Sequence, residues 1–444
     1  MELTGKKFLV VGLARTGTEC ARFLAARGAQ VAVSDLRPES ELENELQSLA
    51  GLTISYFLGA EKRGWPDAVD CVIPSPGVPA ENPLIGEAKS RRIPVLSEIE
   101  LAYRFFGAPL VAITGTNGKS TTTTLIGEMM KADGRRAFVG GNLGTPFIAA
   151  ISGEWDWGVL EISSFQLEWI EKFAPRIAVL LNVTEDHLDR YSSFDHYRRA
   201  KERILAAQTG TDFAVLNRDD PWVWALEKQV KAQVSSFGFS EVSEGVFAKG
   251  EKIVWRYGAG EETFPLARVK IQGVHNIENM MAAVAAAKLA GIGREPIQRT
   301  LETFPGLEHR LEFVRERDGV RYYNDSKGTN VGAVVKSLAS FAEPVILIAG
   351  GVDKGGDYGP LSPGIKRTVR RLILFGAAKK VIAAALGHLT ETVIVENLAE
   401  AVRESAAAAR AGEVVLLSPA CSSFDQFRNY AERGKKFKTL VGSL

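Results

Sequence analysis

The sequence predicts an α/β protein of three domains, each built on a mostly parallel sheet. Three observations carry that expectation. At 444 residues the chain is too long for one ordinary core. Short apolar runs alternate with helical stretches, which is the pattern of a parallel sheet with helices on both faces. A strand, a glycine-bearing turn and a helix begin at Lys7 and begin afresh at Leu110, and the text changes again around Phe304–Arg310. Boundaries fall near 98 and 308, so the expected units are roughly 1–98, 99–308 and 309–444.

In the first unit, Lys7–Gly12 (KFLVVG) reads as a buried strand, with a helix from about Thr16 to Arg27 and a second strand at Gln30–Asp35. Gly12-Leu13-Ala14-Arg15-Thr16-Gly17 is G-x-A-x-x-G, one glycine short of the dinucleotide fingerprint. Asp35 closes the second strand, where an acidic side chain usually meets a ribose or a base. The unit is therefore Rossmann-like, and it suits a nucleotide-linked substrate better than NAD. Pro74–Pro79 (PSPGVP) follows another strand and reads equally as a pair of proline-set turns or as part of that binding edge.

The second unit opens on Leu110–Thr124, LVAITGTNGKSTTTT: an apolar strand, a tight turn and a helix start. Backbone N–H groups of Gly115, Thr116, Asn117, Gly118, Lys119, Ser120 and Thr121 then point at an anion, favoured by the positive end of the helix. Lys119 adds a point charge, and the Ser120 hydroxyl can meet a Mg²⁺ that bridges phosphates. The strict G-x-x-x-x-G-K-[ST] pattern is not met, because Ile113 stands where its first glycine would be. The central unit is thus of P-loop type and is expected to bind ATP. Strands follow at Gly158–Ile162 and Ile177–Asn182, so Glu161 and His187 should emerge at the same carboxyl edge, with Lys201 on the next helix. Mg²⁺ prefers oxygen ligands and keeps several waters, which suits Ser120 and Glu161. Met280–Ala290, rich in alanine, reads as a closely packed helix.

In the third unit strands are expected at Pro344–Ala349, Arg371–Phe375 and Val414–Ser418, with helices between them, a second Rossmann-like arrangement. The composition is that of a globular chain, 45% hydrophobic and 24% charged. A formal net charge of +1 gives no electrostatic case for nucleic acid or anionic lipid. Cys20, Cys71 and Cys421 lie far apart with no C-x-x-C, so neither a disulfide framework nor a cysteine zinc site is indicated. The start, MELTGKKFLVVGLA, has no apolar signal core, and no run approaches a membrane-spanning length. A monomeric cytoplasmic protein without membrane or nucleic-acid partners is expected.

Several segments together resemble the Mur ligases. They are TGTNGKST, SSFQLEW after Glu161, NVTEDHLDRY, G-x-H-N-x-x-N at Gly273–Asn279, EHRLE at Glu308–Glu312, NDSKGTN at Asn324–Asn330 and SPACSSFD at Ser418–Asp425. The match runs in order along the whole chain, and the last two segments resemble the branch of the family that adds D-glutamate. The resemblance implies an ATP-dependent, ADP-forming amide ligase of cytoplasmic peptidoglycan precursor synthesis. Its substrates would be UDP-N-acetylmuramoyl-L-alanine and D-glutamate, joined through an acyl phosphate.

It also implies roles. Lys119 would stabilise the transferring phosphoryl group, Ser120 and Glu161 would hold one Mg²⁺, and His187 would help to hold a second. Lys201 matches a lysine carbamylated by CO₂, and would then be a metal partner. Asn276, Arg310 and Asp325 match ATP contacts. Arg15, Thr16, Asp35, Leu36, Arg37 and Gly77 fall at the uridine end of the substrate, and Asn142 further along it. Lys327, Thr329, Lys354, Ser423, Phe424 and Tyr430 match the D-glutamate pocket. Arg15 departs from the apolar residue of some relatives, and Phe424 and Tyr430 sit at variable positions. The rival readings are another Mur-type or folylpolyglutamate-type ligase, an ATP-dependent switch, and an NAD oxidoreductase.

Overall fold

A computed structural model describes residues 1–59, 68–188, 190–271 and 273–444. Three sheets follow one another along the chain. The first contains β1 (Lys7–Val11), β2 (Gln30–Asp35), β3 (Ile54–Leu58) and β4 (Cys71–Pro74), all parallel, in the order β3-β2-β1-β4. The order reverses at β1, so the turns after β1 and β4 open side by side at a crevice on the carboxyl edge. The helix after β1 spans Arg15–Ala25, slightly earlier at both ends than the sequence pattern indicates.

The second sheet has nine strands. They are β5 (Leu110–Thr114), β6 (Ala137–Gly141), β7 (Trp157–Glu161), β8 (Ile177–Leu180), β9 (Phe213–Asn217), β10 (Gln233–Gly238), β11 (Gly245–Ala248), β12 (Lys252–Tyr257) and β13 (Gly260–Pro265). Their order is β13-β12-β11-β10-β9-β8-β5-β7-β6. β5 lies between β8 and β7, again at the reversal, and the phosphate-loop sequence leaves its carboxyl end. β11, β12 and β13 form an antiparallel extension. The helix Val274–Leu289 buries Met280 to Ala287 without interruption, because it lies between the sheet and the helix Lys119–Ala132. Small alanine side chains let the helices approach closely, and they hold Asn279 against Gly118.

The third sheet contains β14 (Glu312–Arg317), β15 (Val320–Asn324), β16 (Val345–Gly350), β17 (Val369–Phe375), β18 (Glu391–Ile394) and β19 (Val414–Leu417), ordered β14-β15-β19-β16-β17-β18. Only β14 and β15 are antiparallel. The carboxyl ends of β15, β16 and β19 lie side by side, so Asn324–Asn330, Gly350–Asp357 and Ser418–Asp425 share one edge.

The first two sheets share a core. Ile99, Leu101 and Ala102 of the helix Glu98–Tyr103 are buried in one apolar cluster with Leu13 and Phe23 on one side and Phe147 and Phe173 on the other. Among the described residues no helix is long and apolar enough to cross a membrane.

Candidate active site at the domain junctions

The turn after β5 is shaped for a phosphate chain. Gly118 caps the helix Lys119–Ala132 at φ 88°, and a Cβ there would lie 2.2 Å from Asn279 Oδ1. Among the described residues no side chain caps this helix start, and its first turn carries no acid, so its N–H groups face the crevice. Asn182 ties the loop down: its Oδ1 accepts from Asn117 N–H (2.8 Å), its carbonyl from Thr116 N–H (2.9 Å), and its Nδ2 donates to Asn117 O (3.1 Å). Lys119 Nζ folds back onto the carbonyls of Gly115 (2.9 Å) and Thr116 (3.0 Å).

Four expected residues gather around this loop. Glu161, at the end of β7, is 3% exposed; Oε1 accepts from Asn142 Nδ2 (2.7 Å), while Oε2 is buried with no hydrogen-bond partner among the described residues. Burial pushes its pKa up, but the Lys119 and Lys327 cations outweigh this and hold the carboxyl below its ordinary range, so it is ionised. Ser120 Oγ accepts from Lys327 Nζ at 2.7 Å. Lys201, 2% exposed, donates to Gly115 O (2.9 Å) and lies 4.6 Å from the Tyr197 ring centroid. Burial, reinforced by Lys119, drives its pKa well below that of a free lysine and favours the neutral amine. His187 stands at φ 56°, its ring edge-on to Phe165 at 4.8 Å. Burial lowers its pKa to about 4 against the opposing charge of Asp186, which leaves the imidazole neutral at pH 7 with a lone pair to offer.

The orphaned Glu161 oxygen beside Ser120 Oγ is what Mg²⁺ needs from a protein when phosphates and water complete its shell. Among the described residues no cluster of three or more His, Cys, Asp and Glu side chains forms an all-protein cage. The residues present therefore fit a Mg²⁺ carried by a nucleotide, for which Glu161 and Ser120 could serve as protein donors.

The third domain closes over this edge. Asp186 accepts from Asn330 Nδ2 (3.0 Å) and pairs with Lys354 Nζ (3.3 Å). Lys327 Nζ lies 5.2 Å from the Tyr430 ring centroid, and burial lowers its pKa to about 7. Thr329 and Lys354 line one cavity with Asp186 and His187. Ser423 is buried on the Ser418–Asp425 loop, whereas Phe424 is 73% exposed and is not part of this cavity's wall. A narrow slot between the domains is lined by Gly118, Thr121, Asn276, Arg310 and Asp325. Asp325 Oδ2 accepts from Ser337 and Ser418, both at 2.7 Å, so its orientation is fixed.

A cavity of about 860 Å³ opens along the first domain. Arg15, Thr16, Asp35, Leu36, Arg37 and Gly77 all line it, and its far wall contains Asn142 and Gln166 of the second domain. Asp35 is held by Leu13 N–H (2.7 Å) and by Arg37, whose hydrogen bonds overcome the burial that would raise its pKa. A Cβ on Gly17 would fall 1.9 Å from Gly12 O, the close approach that the glycine-rich turn requires.

The sequence pattern gave no sign of three residues. Asn182 organises the loop after β5 and Asp186 joins two domains, yet in the sequence each is only one polar residue of NVTEDHLDRY. Arg433 is fully buried and donates to Ser326 O (2.8 Å), Ser326 Oγ (3.0 Å) and Cys421 O (3.2 Å), bracing the two loops of the third domain against each other. An arginine on an otherwise ordinary terminal helix carries no local signal for that role.

Comparison with known proteins adds three family models: "Mur ligase MurD-like, N-terminal domain" over residues 6–97, "Mur ligase middle domain" over 113–287 and "Mur ligase, glutamate ligase domain" over 309–421. A Geobacter metallireducens protein named UDP-N-acetylmuramoylalanine–D-glutamate ligase is 53% identical, covering 100% of this chain and 99% of its own. A protein of the same name from Trichlorobacter lovleyi is 51% identical over 100% of both chains. Among solved structures, UDP-N-acetylmuramate-alanine ligase MurC from Thermotoga maritima matches with TM-score 0.61 at 20% identity, over 99% of each chain. MurF from Acinetobacter baumannii matches with TM-score 0.62 at 18% identity, over 100% of this chain and 91% of that one. At such identities the two structures speak for the fold.

Proposed function

The chain belongs to the Mur ligase family, and on that premise we propose that it joins D-glutamate to UDP-N-acetylmuramoyl-L-alanine at the expense of ATP. One observation supports this reading above the rest. The cavity that begins at Asp35 and Gly77 ends at Asn142, and Asn142 holds the carboxylate that stands at the phosphate loop. A nucleotide-linked substrate lying in that cavity delivers its free end to the γ-phosphate of ATP. An ATP-dependent switch has no use for such a channel.

A carboxylate is a poor electrophile for amide formation in water, so it must first be activated. A carboxylate oxygen of the alanyl group attacks the γ-phosphorus, the bond to the β-phosphate oxygen breaks and ADP leaves. The amine of D-glutamate then attacks the acyl carbon, loses a proton, and inorganic phosphate departs. The protein's work is positioning and charge stabilisation. The helix start at Lys119 and the Lys119 ammonium face the phosphates. Lys327 and Lys354 supply the two cations that a dicarboxylate amino acid needs, with Thr329 and Ser423 as hydroxyl partners and Tyr430 beside Lys327. Asn276, Arg310 and Asp325 receive the nucleoside.

Glu161 and Ser120 would hold a Mg²⁺ that neutralises phosphate charge, and His187 would serve a second ion. Lys201, buried and neutral, has the chemistry for carbamylation: its amine nitrogen bonds to CO₂ carbon and releases a proton, leaving an anionic carbamate. The enzyme acts as a monomer in the cytoplasm. Incubation with ATP and both substrates should give a product whose mass is their sum less one water. Absence of that product, or ligation only of another amino acid, would overturn the assignment.

A further inference from the structure

The Pro74–Pro79 loop walls the substrate cavity and belongs to the first domain, yet an arginine of the second domain grips it. Arg190 donates from Nη1 to Pro76 O (2.8 Å) and from Nη2 to Val78 O (3.0 Å). The same Nη2 meets Glu168 Oε2 at 3.1 Å, and the guanidinium lies 3.9 Å from the Phe165 ring centroid. Phe165 in turn contacts the His187 imidazole, and Glu168 Oε1 accepts from the Tyr191 hydroxyl at 2.6 Å. The Tyr191 ring lies 5.3 Å from Tyr197, whose face carries Lys201. A continuous set of contacts therefore runs from the backbone of the cavity wall to the two residues beside the phosphate loop.

The loop does not need Arg190 to keep its own shape. Val78 N–H closes a turn onto Ser75 O (2.9 Å), and Ser75 Oγ donates to Gly12 O (2.7 Å). Nor does Arg190 alone join the domains, since the buried Glu98–Tyr103 helix and the bond from Ser97 N–H to Trp169 O (2.9 Å) also do so. The Arg190 bonds tie the cavity wall to the Phe165 ring, which packs against His187. His187, at a positive φ that costs energy for a residue with a side chain, must be held by its surroundings. A planar guanidinium can serve two carbonyls and a carboxylate while stacking on a ring; an ammonium cannot.

We propose that Arg190 is a positioning residue for the phosphoryl-transfer step, fixing the substrate loop relative to His187 so that the acceptor carboxylate arrives in line with the γ-phosphate. This rests on the functional reading above. With the full chain, Arg190→Met should lower kcat on the order of 10- to 100-fold, the loss expected from about an ångström of misplacement. Dissociation constants for ATP and for the uridine substrate should stay within about threefold, and Arg190→Lys should recover part of the rate. A kcat within twofold of the parent, or a loss expressed wholly as weaker substrate binding, overturns the inference. Should Arg190→Met fail to fold, Glu168→Gln keeps both carbonyl bonds and should still lower kcat several-fold; unchanged kcat there overturns it too. Hydrogen exchange separates this inference from the functional reading. Loosening the clamp should speed exchange at 75–79 and at 184–188 together, whatever the chain ligates, and unchanged protection at both contradicts the inference.

Discussion

Lys201 shows how burial changes the character of one side chain. Its amine donates to Gly115 O over an aromatic face, and the side chain is 2% exposed. Those conditions favour a neutral nucleophilic nitrogen. Lys201→Ala should abolish most turnover, and short carboxylic acids should restore part of it by standing in for a carbamate. Full activity in the variant would remove Lys201 from the mechanism. At this scale the sequence was legible wherever chemistry sits in a local motif, as for Lys119 and Ser120. Asn182, Asp186 and Arg433 were not, because their bonds reach Asn117, Asn330 and Ser326, which are 65, 144 and 107 residues away. No spacing within a window reports a contact made by the fold.

Among the elements, the Glu98–Tyr103 helix does more than connect. Its Ser97 cap accepts from Glu100 N–H, and Glu100 Oε2 accepts three successive N–H groups from Glu171, Lys172 and Phe173, each at 2.9 Å. Glu98 accepts from Ile148 N–H at 2.6 Å, and burial pushes its pKa up to about 7. The native state therefore holds this proton to higher pH than the unfolded chain does. Stability is unaffected below the unfolded pKa and falls as pH rises towards 7, by about 3 kcal/mol at most for this one group. Glu98→Gln should remove that slope, so denaturant midpoints measured at pH 5 and pH 8 should converge relative to the parent. Equal slopes in both proteins would show that Glu98 titrates normally. The parallel strands β1, β2, β5, β7, β8, β16, β17 and β19 were readable as continuous apolar runs, whereas β3, β6, β9, β10, β15 and β18 were not picked out. β11, β12 and β13 were not, since Gly245–Ala248 is short and Gly260–Pro265 is largely polar, and both depend on pairing with β12 for their conformation.

Across the whole molecule, three sheets turn their carboxyl edges towards one junction. The first brings a long cavity, the second a Gly-bearing loop with a buried lysine and a carboxylate that has one oxygen free among the described residues, the third two lysines. Contacts between the second and third domains converge on the same place: Lys327 on Ser120, Lys354 and Asn330 on Asp186, and Lys336 on Glu278 at 2.6 Å. No domain holds a complete site. Three successive α/β units could be read from the chain's strand and turn pattern, but their mutual facing is a property of packing between them. Coupling of all three ligands is the expected consequence. Steady-state phosphate release from ATP, measured with UDP-N-acetylmuramoyl-L-alanine and a panel containing D-glutamate, L-glutamate and other amino acids, tests it most directly. Release that requires the uridine substrate and D-glutamate together is the predicted result; release indifferent to either would contradict it.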